Sequence, residues 1–494
     1  MSSEPVRLEP GPDGSLRDLL FERGVEFPCG GTTLCGGCKI RIVAGEVPVT
    51  PEMSLVLSRQ EIERGWRLGC LAVARDPVVV EVAQWSSVIL DDQDRTPFEP
   101  AEGLGAVVDL GTTTLVAQAV DLSSGEVVAV ATALNPQARH GADLMARLDF
   151  ERAHPGELTS LIRDAVGRLL AEVAIGRPLA ETLIVGNTVM HHLLAGRSIE
   201  PLCAVPFRSP HGGEAILGAD ELRWKLELTN PVRMLPCLGG FVGSDILAGL
   251  VATGLHLPHS TGALLDLGTN GEIAVADDTG IVCASAAAGP AFEGGRIGQG
   301  QRAGRGAIDR VCLREGRLEC RVIGGTPARG ICGSGLVDAI ACARHLGSIQ
   351  PSGRLSPGVA RITLTDSVSL SQADLRELQL AKAAIAAGFD ILRADRPIEP
   401  SRVFLAGAFG NYVNPGSARR IGLLPQWADR PTPAGNTALR GARTLLLAGA
   451  RRDALIEAVL SRTRHLELAS DPTFQEAFVA AMAFPATEEF TPLV

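Results

Sequence analysis

Residues 27–38 read Phe27-Pro-Cys29-Gly-Gly-Thr-Thr-Leu-Cys35-Gly-Gly-Cys38, and a fourth cysteine, Cys70, follows further along the chain. The first three cysteines have the spacing C-x5-C-x2-C. A [2Fe-2S] rhomb needs four thiolates, two on each iron, and a glycine-rich loop can wrap three of them around it. Glycines in such a loop also let backbone N–H groups point at the sulfurs. We therefore predict that Cys29, Cys35, Cys38 and Cys70 hold a [2Fe-2S] cluster.

Zinc is the competing metal, because a C-x2-C pair is often half of a zinc site. The other half is usually a second C-x2-C pair or a pair of histidines, whereas Cys70 stands alone and the first histidine of the chain is His140. The sequence therefore favours iron–sulfur over zinc. Seven further cysteines show no ligand spacing, and free buried thiols behave as small hydrophobic side chains.

The flanking segments predict a small fold around the four cysteines. Leu16, Leu19 and Leu20 share one face of a predicted helix that precedes them. Alternating apolar residues predict strands at 39–43, 71–73 and 78–82. One helix on a small mixed sheet is the β-grasp arrangement, so we predict an α+β β-grasp [2Fe-2S] ferredoxin domain over residues 1–84.

Charge and hydropathy exclude several classes of function. The formal net charge is −10, whereas a protein that binds nucleic acid needs a basic face. No run of about 18 apolar residues predicts a membrane span, and the first residues lack the basic and apolar regions of a secretory signal. We therefore expect a cytoplasmic protein that binds neither nucleic acid nor membrane. Residues 85–104 are rich in Asp and Glu and predict an exposed acidic linker.

An internal repeat marks the remaining residues, 105–494. The run Ala106-Val-Val-Asp109-Leu-Gly111-Thr-Thr-Thr114 recurs as Leu264-Leu-Asp266-Leu-Gly268-Thr-Asn-Gly271. Each copy is an apolar strand that ends in Asp, a small-residue turn and a return strand, which predicts a hairpin. The Asp is placed to hold Mg²⁺ through water, and the turn offers N–H and hydroxyl donors to phosphate oxygens. Two such loops can grip a nucleotide from both sides through Gly111, Thr112, Thr113, Gly268, Thr269 and Asn270.

The duplicated loops resemble those of the ASKHA superfamily, which includes acetate and sugar kinases, heat-shock ATPases and actin. The resemblance implies a duplicated α/β fold (actin-like, ribonuclease H-like) whose two lobes close on ATP and Mg²⁺. It assigns catalytic roles to Asp109 and Asp266 in the two phosphate motifs. It matches Asp245, at the start of a predicted helix after Gly239-Gly-Phe-Val-Gly, to the acid that helps hold the metal-bound water.

A third nucleotide motif is suggested near residue 407. Val403-Phe-Leu-Ala-Gly407-Ala-Phe-Gly410-Asn411 is an apolar strand that runs into a glycine turn, and it resembles the adenosine motif of the same superfamily. The resemblance places Gly407, Gly410 and Asn411 beside the base and ribose, where the lack of a Cβ permits close approach. Glu293, in another glycine-rich turn, is a further candidate for contact with Mg²⁺ or the attacking water.

A ferredoxin domain joined to an ASKHA ATPase resembles the reductive activators of corrinoid-dependent methyltransferases. Other segments carry the same resemblance, namely 135–143, 184–192, 287–295, 328–338 and 377–385. The resemblance implies ATP-dependent transfer of one electron from the [2Fe-2S] cluster to Co(II), which regenerates Co(I) for methyl transfer. The implied partners are a corrinoid protein of a methyltransferase system and an upstream low-potential electron donor, with a homodimer as an expected assembly.

The chain is expected to be a short variant of that family. Only residues 85–104 separate the ferredoxin domain from the first phosphate loop, which leaves no room for the additional linker and middle domains of longer members. No cobalamin-binding motif is present, so the corrinoid is expected on another protein.

Three other functions stay open at this point. The chain could be an ATP-driven electron donor to another low-potential acceptor enzyme, a redox-regulated small-molecule kinase, or a non-enzymatic adaptor. A kinase would yield a phosphorylated product, whereas an activator would release phosphate.

Overall fold

The computed structural model describes residues 5–22, 38–82, 98–141, 143–268, 270–396, 402–410, 412–426, 428 and 431–486. Two of the four predicted cluster ligands, Cys29 and Cys35, lie outside these ranges, as do Thr269, Asn411 and most of the predicted linker. Three parts follow one another along the described chain: a small N-terminal domain and two larger α/β halves.

The described part of the N-terminal domain is a four-stranded sheet with three short helices. Its elements are β1 (Val6–Leu8), α1 (Arg17–Glu22), β2 (Lys39–Ala44), α2 (Met53–Val56), α3 (Arg59–Glu63), β3 (Trp66–Leu68) and β4 (Val78–Val82). The strand order is β1-β4-β2-β3. All three pairings among these described strands are antiparallel, whereas the sequence predicts a mixed sheet. Leu16 and Leu20 of the predicted apolar face are buried in its core.

The strand predicted at 71–73 is wrong. Residues Gly69–Leu71 instead form a single 3₁₀ turn, and Val73 makes only an isolated bridge to Ser15. The physical reason is the bond from Gly69 N to Cys38 O, at 2.8 Å, which turns the chain toward Cys38. A strand that continued through residue 70 would carry Cys70 away from Cys38.

The first α/β half is a six-stranded sheet covered by helices. Its elements are β5 (Leu104–Leu110), β6 (Thr114–Asp121), β7 (Val127–Leu134), α4 (Leu144–Ala153), α5 (Glu157–Ala174), β8 (Leu179–Gly186), α6 (Thr188–Ala195), β9 (Ala215–Leu217), α7 (Ala219–Leu222), β10 (Val232–Met234) and α8 (Ser244–Ala252). The strand order is β7-β6-β5-β8-β10-β9.

The second half repeats this plan and carries insertions. Its elements are β11 (Gly262–Leu267), β12 (Gly271–Asp277), β13 (Gly280–Ala286), β14 (Ala307–Arg314), β15 (Arg317–Val322), β16 (Gly330–Ile331), α9 (Gly333–His345), β17 (Ile362–Thr363), β18 (Ser369–Leu370), α10 (Gln372–Asp395), β19 (Val403–Ala406), α11 (Gly407–Gly410), α12 (Pro415–Arg420), β20 (Thr432–Gly435), α13 (Thr437–Leu447), α14 (Arg452–Arg462), β21 (Thr463–His465) and α15 (Phe474–Met482). Its main sheet has the order β20-β19-β11-β12-β13-β21.

The two sheets share one topology, which confirms the predicted duplication. In each half, three antiparallel strands form a meander (β5-β6-β7 and β11-β12-β13). The next two core strands then pair in parallel, β8 with β5 and β10 with β8, and β19 with β11 and β20 with β19. The two predicted hairpins are therefore equivalent elements of a duplicated fold, and the phosphate loops lie at equivalent points.

Helices α8 and α13 join the halves. One hydrophobic core contains residues of both sheets together with both helices, among them Val107, Leu247, Leu264 and Leu445. Gly441 of α13 lies so close to α8 that a Cβ there would overlap the carbonyl of Ala248. Each helix begins beside the end of the other half's first strand, so this packing brings residues of both halves to one cleft.

Among the described residues, no helix combines the length and the apolar character that a membrane span requires.

Candidate functional site

Cys38 and Cys70 lie in the core of the N-terminal domain, on segments that are bonded to each other. Cys38 is buried and precedes β2, whereas Cys70 is partly buried in the 3₁₀ turn after β3. Lys39 pairs with Leu68 across the two strands, and the bond from Gly69 N to Cys38 O closes the ladder. Two cysteines on adjacent, hydrogen-bonded segments at one end of a sheet fit half of a four-thiolate set. Cys29 and Cys35, which would complete it, stay predictions.

Asp109 of the first phosphate motif is held by the other half of the fold. It lies near the end of β5, and the amide Nδ2 of Asn436 donates to its Oδ2 at 2.7 Å. Asn436 is also the N-cap of α13, where its Oδ1 accepts from Leu439 N at 2.8 Å. The carboxylate of Asp109 is therefore fixed in place by the same residue that starts α13.

The turn after Asp109 is shaped by hydrogen bonds from a neighbouring segment. Asn135 donates from its side chain to Gly111 O at 3.0 Å and from its backbone to Thr113 O at 2.9 Å. Thr112 is half-buried in this turn. The hydroxyl of Thr113 donates to Glu293 Oε2 at 3.0 Å, which links the first loop to the second half. Glu293, the further candidate named from sequence, thus lies at the phosphate loop.

Asp245 and Asp266 form the opposite side of the cleft. Asp245 is in the first turn of α8, and Asp266 is near the end of β11. Burial, with smaller contributions from Asp266 and Asp109, raises the pKa of Asp245 to about 8. Burial, followed by Asp109, raises the pKa of Asp266 to about 7. Three carboxyls from three distant segments therefore converge closely enough to repel one another.

Glu272 is a fourth acid in this cluster. It is the cross-strand partner of Asp266 on β12. It accepts hydrogen bonds from Ser285 Oγ at 3.3 Å and from Asn187 Nδ2 at 3.4 Å. Burial, then Asp245 and Asp266, raises the pKa of Glu272 well above its usual range. We define Asp109, Asp245, Asp266 and Glu272 as the acid cluster.

The acid cluster fits a hydrated cation better than a directly coordinated one. Buried carboxyls with raised pKa values lack a compensating positive charge, which a divalent cation would supply. However, no three His, Cys, Asp or Glu side chains of the described residues are grouped closely enough to hold a metal ion. Mg²⁺ normally keeps several of its waters and is held by few carboxylates together with substrate phosphates. The arrangement therefore suits Mg²⁺ held through water beside a nucleotide.

The second phosphate loop and the adenosine motif meet at Asp266. Gly268 N bonds to Asn270 O at 3.0 Å, which closes a tight turn between β11 and β12. Gly407 follows β19 with a φ of +80°, and a Cβ on it would overlap Asp266 Oδ1. The predicted strand is β19, and the glycine turn that follows it, residues Gly407–Gly410, is one helical turn, α11.

Sequence reasoning missed two residues of this site, Glu272 and Asn436, although each carries a signal in the sequence. Glu272 is the first polar residue of the return strand, and the hairpin register alone places it opposite Asp266. Asn436 lies in a Gly-Asn-Thr tripeptide, which occurs at 186–188 and at 435–437, each time after a strand and before a helix. Neither signal assigns its residue to the site until the pairing of the strands is known.

Three protein-family models match successive segments of the chain. Residues 2–75 match the 2Fe-2S iron-sulfur cluster binding domain, 104–258 match the RACo middle region, and 261–493 match the C-terminal domain of RACo, which is the ASKHA domain. The expectation that the chain leaves no room for a middle domain is therefore wrong. The segment 104–258 is itself the middle region, because the fold's first duplicated half corresponds to it.

Two relatives span most of the chain. The corrinoid activation enzyme RamQ of Eubacterium limosum is 33% identical over 419 residues, which are 77% of this chain and 70% of the relative. The [Co(II) methylated amine-specific corrinoid protein] reductase of Methanosarcina barkeri is 28% identical over 418 residues, 77% of each chain.

The fold is also that of a solved structure, the reductive activator for corrinoid, iron-sulfur protein. The TM-score is 0.69 at 24% identity, and the match covers 98% of this chain and 99% of the other. The [2Fe-2S] and ASKHA units predicted from sequence are thus both confirmed. On the identity and length shared with RamQ, this chain belongs to the family of reductive activators of corrinoid proteins.

Proposed function

We propose that the protein uses ATP hydrolysis to return one electron to the cobalt of a corrinoid protein that belongs to a methyltransferase system. The observation that carries this proposal is the joining, in one chain, of a thiol pair in a ferredoxin domain with an acid cluster built from both halves of an ASKHA fold. Family membership supports the acceptor class, since two relatives are named for the activation or reduction of corrinoid proteins.

The electron balance of the proposed reaction is simple. The [2Fe-2S] cluster supplies one electron, Co(II) becomes Co(I), and an upstream low-potential donor reduces the cluster again. ATP reacts with water to give ADP and phosphate, so no phosphorylated acceptor forms. The need for ATP follows from redox potentials, because plant-type clusters lie near roughly −400 mV. For a one-electron step, a deficit of about 59 mV costs a factor of ten in the equilibrium constant.

The acid cluster and the phosphate loops have separate tasks in this proposal. Asp109, Asp245 and Asp266 orient the water shell of Mg²⁺, and the backbone N–H groups of the two loops bind phosphate oxygens. Glu272 is placed to orient a water of that shell, because its carboxyl faces Asp266 and is itself held by Asn187 and Ser285. Residues from both halves are required, so ATP binds productively only when the halves lie together.

The test is anaerobic and uses the full chain. Protein with a reduced cluster is mixed with ATP, Mg²⁺ and a candidate Co(II) corrinoid protein, and visible spectroscopy follows the appearance of Co(I). We expect Co(I) only with ATP, and free phosphate without a phosphorylated small molecule. Equal and complete reduction without ATP, or a phosphorylated product, would contradict the proposal.

Two matched variants test whether ATP hydrolysis takes place at the acid cluster. Asp266→Asn removes one charge from the acid cluster, and we expect ATP hydrolysis to fall roughly hundredfold, as for other lost electrostatic contacts to a transition state. Asp278→Asn is the control, because Asp278 lies in the β12–β13 turn with a side chain that is 67% exposed. Hydrolysis by this variant should equal that of the unmodified chain.

A further inference from the structure

Tyr412 joins the ATPase unit to the ferredoxin domain. It is the only tyrosine in the sequence. Its half-buried ring packs against the hydrophobic core formed by residues such as Leu16, Leu20, Cys38 and Cys70. Among the described members of that core, Tyr412 alone comes from beyond residue 82. The ATPase unit therefore places one aromatic ring in the core that also holds two predicted cluster ligands.

A buried ion pair forms a second contact between the same units. Arg17 Nη2 of α1 lies 4.0 Å from Asp309 Oδ2 of β14, and the two side chains are only 11% and 9% exposed. Arg321 of β15 pairs with the same carboxylate. We call Tyr412 and Asp309 the seat of the ferredoxin domain.

The seat is connected to the turn that carries Cys70. Arg17 begins α1, and the residue before it, Leu16, donates from its backbone N–H to Ala72 O at 2.9 Å. Ala72 lies two residues after Cys70. The helix that rests on the seat is thus bonded to the turn that carries Cys70, so movement of the seat is transmitted to that predicted ligand.

On its other side, Tyr412 is tied to the nucleotide site. Its backbone N–H donates to Phe409 O at 3.0 Å, and Phe409 belongs to the same helical turn as Gly407, which abuts Asp266. Phe409 stacks on Phe292 with ring centroids 4.4 Å apart and an angle of 15° between the planes. The neighbour of Phe292 is Glu293, the acceptor of the Thr113 hydroxyl. The second phosphate motif therefore contacts α11 directly through Asp266, and the first reaches α11 through Glu293 and Phe292.

We infer that α11 and Tyr412 relay nucleotide binding to the ferredoxin domain: nucleotide in the cleft shifts α11, Tyr412 leaves the ferredoxin core, and the domain is released from its seat to meet the corrinoid partner. The inference rests on the proposed function, since it names the step by which ATP controls access to the cluster. Interfaces between domains that move relative to each other are of modest size, so loss of one contact can shift the balance between the seated and released forms. A ligand can release the domain only if that ligand binds the released form more tightly than the seated one.

The test measures how exposed the cluster is to an external oxidant. Full-length protein with a reduced cluster is mixed with oxidised cytochrome c, and the rate of electron loss is followed with and without a non-hydrolysable ATP analogue. For the unmodified chain we expect the analogue to raise the rate by about fivefold, which corresponds to a shift of roughly 1 kcal/mol between the seated and released forms. Tyr412→Ala and Arg17→Gln should react fast in both conditions, because each removes one contact that holds the ferredoxin domain on its seat.

Two controls accompany these variants. Tyr412→Phe keeps the ring and should respond to the analogue as the unmodified chain does. Leu55→Ala changes a side chain of the same domain that is 86% exposed, and it should have no effect. An unchanged response in both Tyr412→Ala and Arg17→Gln would overturn the relay.

Calorimetry with the analogue distinguishes failure of the relay from failure of the proposed function. If the unmodified chain binds the analogue but its oxidation rate does not change, the relay is wrong and ATP-dependent activation still stands. If the unmodified chain does not bind the analogue, the proposed function and the relay both fail.

Discussion

At the scale of single residues, the acid cluster brings four carboxyls together in a buried cleft, which is unfavourable for their charged forms. Taking a carboxyl out of water disfavours its charged form, and a second carboxyl nearby adds to that effect. The raised pKa values of Asp245, Asp266 and Glu272 follow from these two causes. A bound cation reverses both, so Mg²⁺ with nucleotide should stabilise the fold as well as take part in hydrolysis.

The first prediction concerns the pH dependence of stability. Asp266 has a folded-state pKa of about 7 against an ordinary value of 3.8. A raised pKa means that the folded chain binds the proton more tightly than the unfolded chain does, so stability from this group is greatest at low pH and is lost as pH rises toward about 7. Chemical denaturation without nucleotide at several pH values should show that loss, and Asp266→Asn should reduce it.

Asp278→Asn is the comparison variant for this measurement, because the exposed carboxyl of Asp278 lies in the next turn of the same three-stranded meander. Added Mg²⁺ and nucleotide should flatten the pH dependence of the unmodified chain. A pH profile that is identical in Asp266→Asn and the unmodified chain would mean that Asp266 does not hold a proton in the cleft.

The second prediction concerns Gly407. Its φ of +80° and its closeness to Asp266 Oδ1 leave no room for a side chain. Gly407→Ala should therefore displace Asp266 and lower ATP affinity by about tenfold, equivalent to roughly 1.4 kcal/mol. Calorimetric titration with ATP measures the change.

Gly358→Ala separates the effect of the left-handed backbone conformation from the effect of the contact with Asp266. Gly358 has a φ of +85°, but nothing lies within 4 Å of a Cβ placed on it. This variant should lose roughly 1 kcal/mol of stability from the left-handed backbone alone and keep its ATP affinity. Equal ATP affinity in the two alanine variants would show that the contact with Asp266 does not matter.

At the scale of elements, the pseudo-symmetry of α8 and α13 explains how the cleft is built. The start of α8 brings Asp245 of the first half toward Asp266 of the second. The start of α13 brings Asn436 of the second half to Asp109 of the first. Because each helix start lies beside the other half's phosphate motif, neither half can complete the site by itself.

A second element-scale feature is the attachment of α15 to α10. Lys382 of α10 is almost fully buried, and its ammonium donates to Ala481 O at 2.6 Å and to Ala483 O at 2.5 Å. It also lies over the ring of Phe484, 5.1 Å from the centroid. Burial, followed by repulsion from Arg344, lowers the pKa of Lys382 to about 8. The ammonium group of Lys382 therefore supplies the hydrogen-bond donors for two carbonyls at the end of α15.

The third prediction follows from this attachment. Lys382→Met should cost about 2 kcal/mol of stability, because hydrogen bonds from a charged group are lost and two carbonyls are left without a donor. Denaturant unfolding measures the cost, and hydrogen exchange should show faster exchange in α15. Lys225→Met, at an exposed position, is the control and should leave both measurements unchanged. Slow exchange of α15 in Lys382→Met would show that apolar packing alone holds that helix.

At the scale of the whole molecule, the chain joins units with separate cores. The ferredoxin core, the cores of the two α/β halves and the core between them are distinct groups of buried residues. Separate cores imply that loss of the cluster need not unfold the ATPase unit.

The fourth prediction tests this separation. Cys38→Ser should remove the visible absorption of the cluster and all electron transfer to Co(II), since the ligand set is incomplete. Nucleotide binding, measured by calorimetry, should persist. Cys203→Ser is the matched thiol control, because Cys203 lies in the first half beside the 3₁₀ turn at residues 200–202, far along the chain from the predicted ligands. Retention of the full cluster spectrum in Cys38→Ser would contradict the ligand assignment.

Local sequence patterns were enough for much of this architecture. The Asp-Leu-Gly-Thr copies predicted two equivalent hairpins, because alternating apolar residues and small-residue turns act over a few neighbours. The same holds for the helix that starts at Ser244 and for the strand at Val403. The strand predicted at 71–73 failed, since the bond between Gly69 and Cys38 joins segments that are distant in sequence.

The sequence by itself determined the kinds of unit present: a cysteine-ligated ferredoxin domain and a duplicated phosphate-binding fold. The spacing of the cysteines and the repetition of the phosphate motif are properties of the order of residues, so both can be recognised without a structure. Only the tertiary structure decided that Glu272 joins the three aspartates, that Asn436 holds Asp109, and that Tyr412 reaches the ferredoxin core. The position of Glu272 depends on the exact register of its hairpin, and the contacts of Asn436 and Tyr412 depend on the packing of segments that are distant in the sequence, which no local pattern encodes.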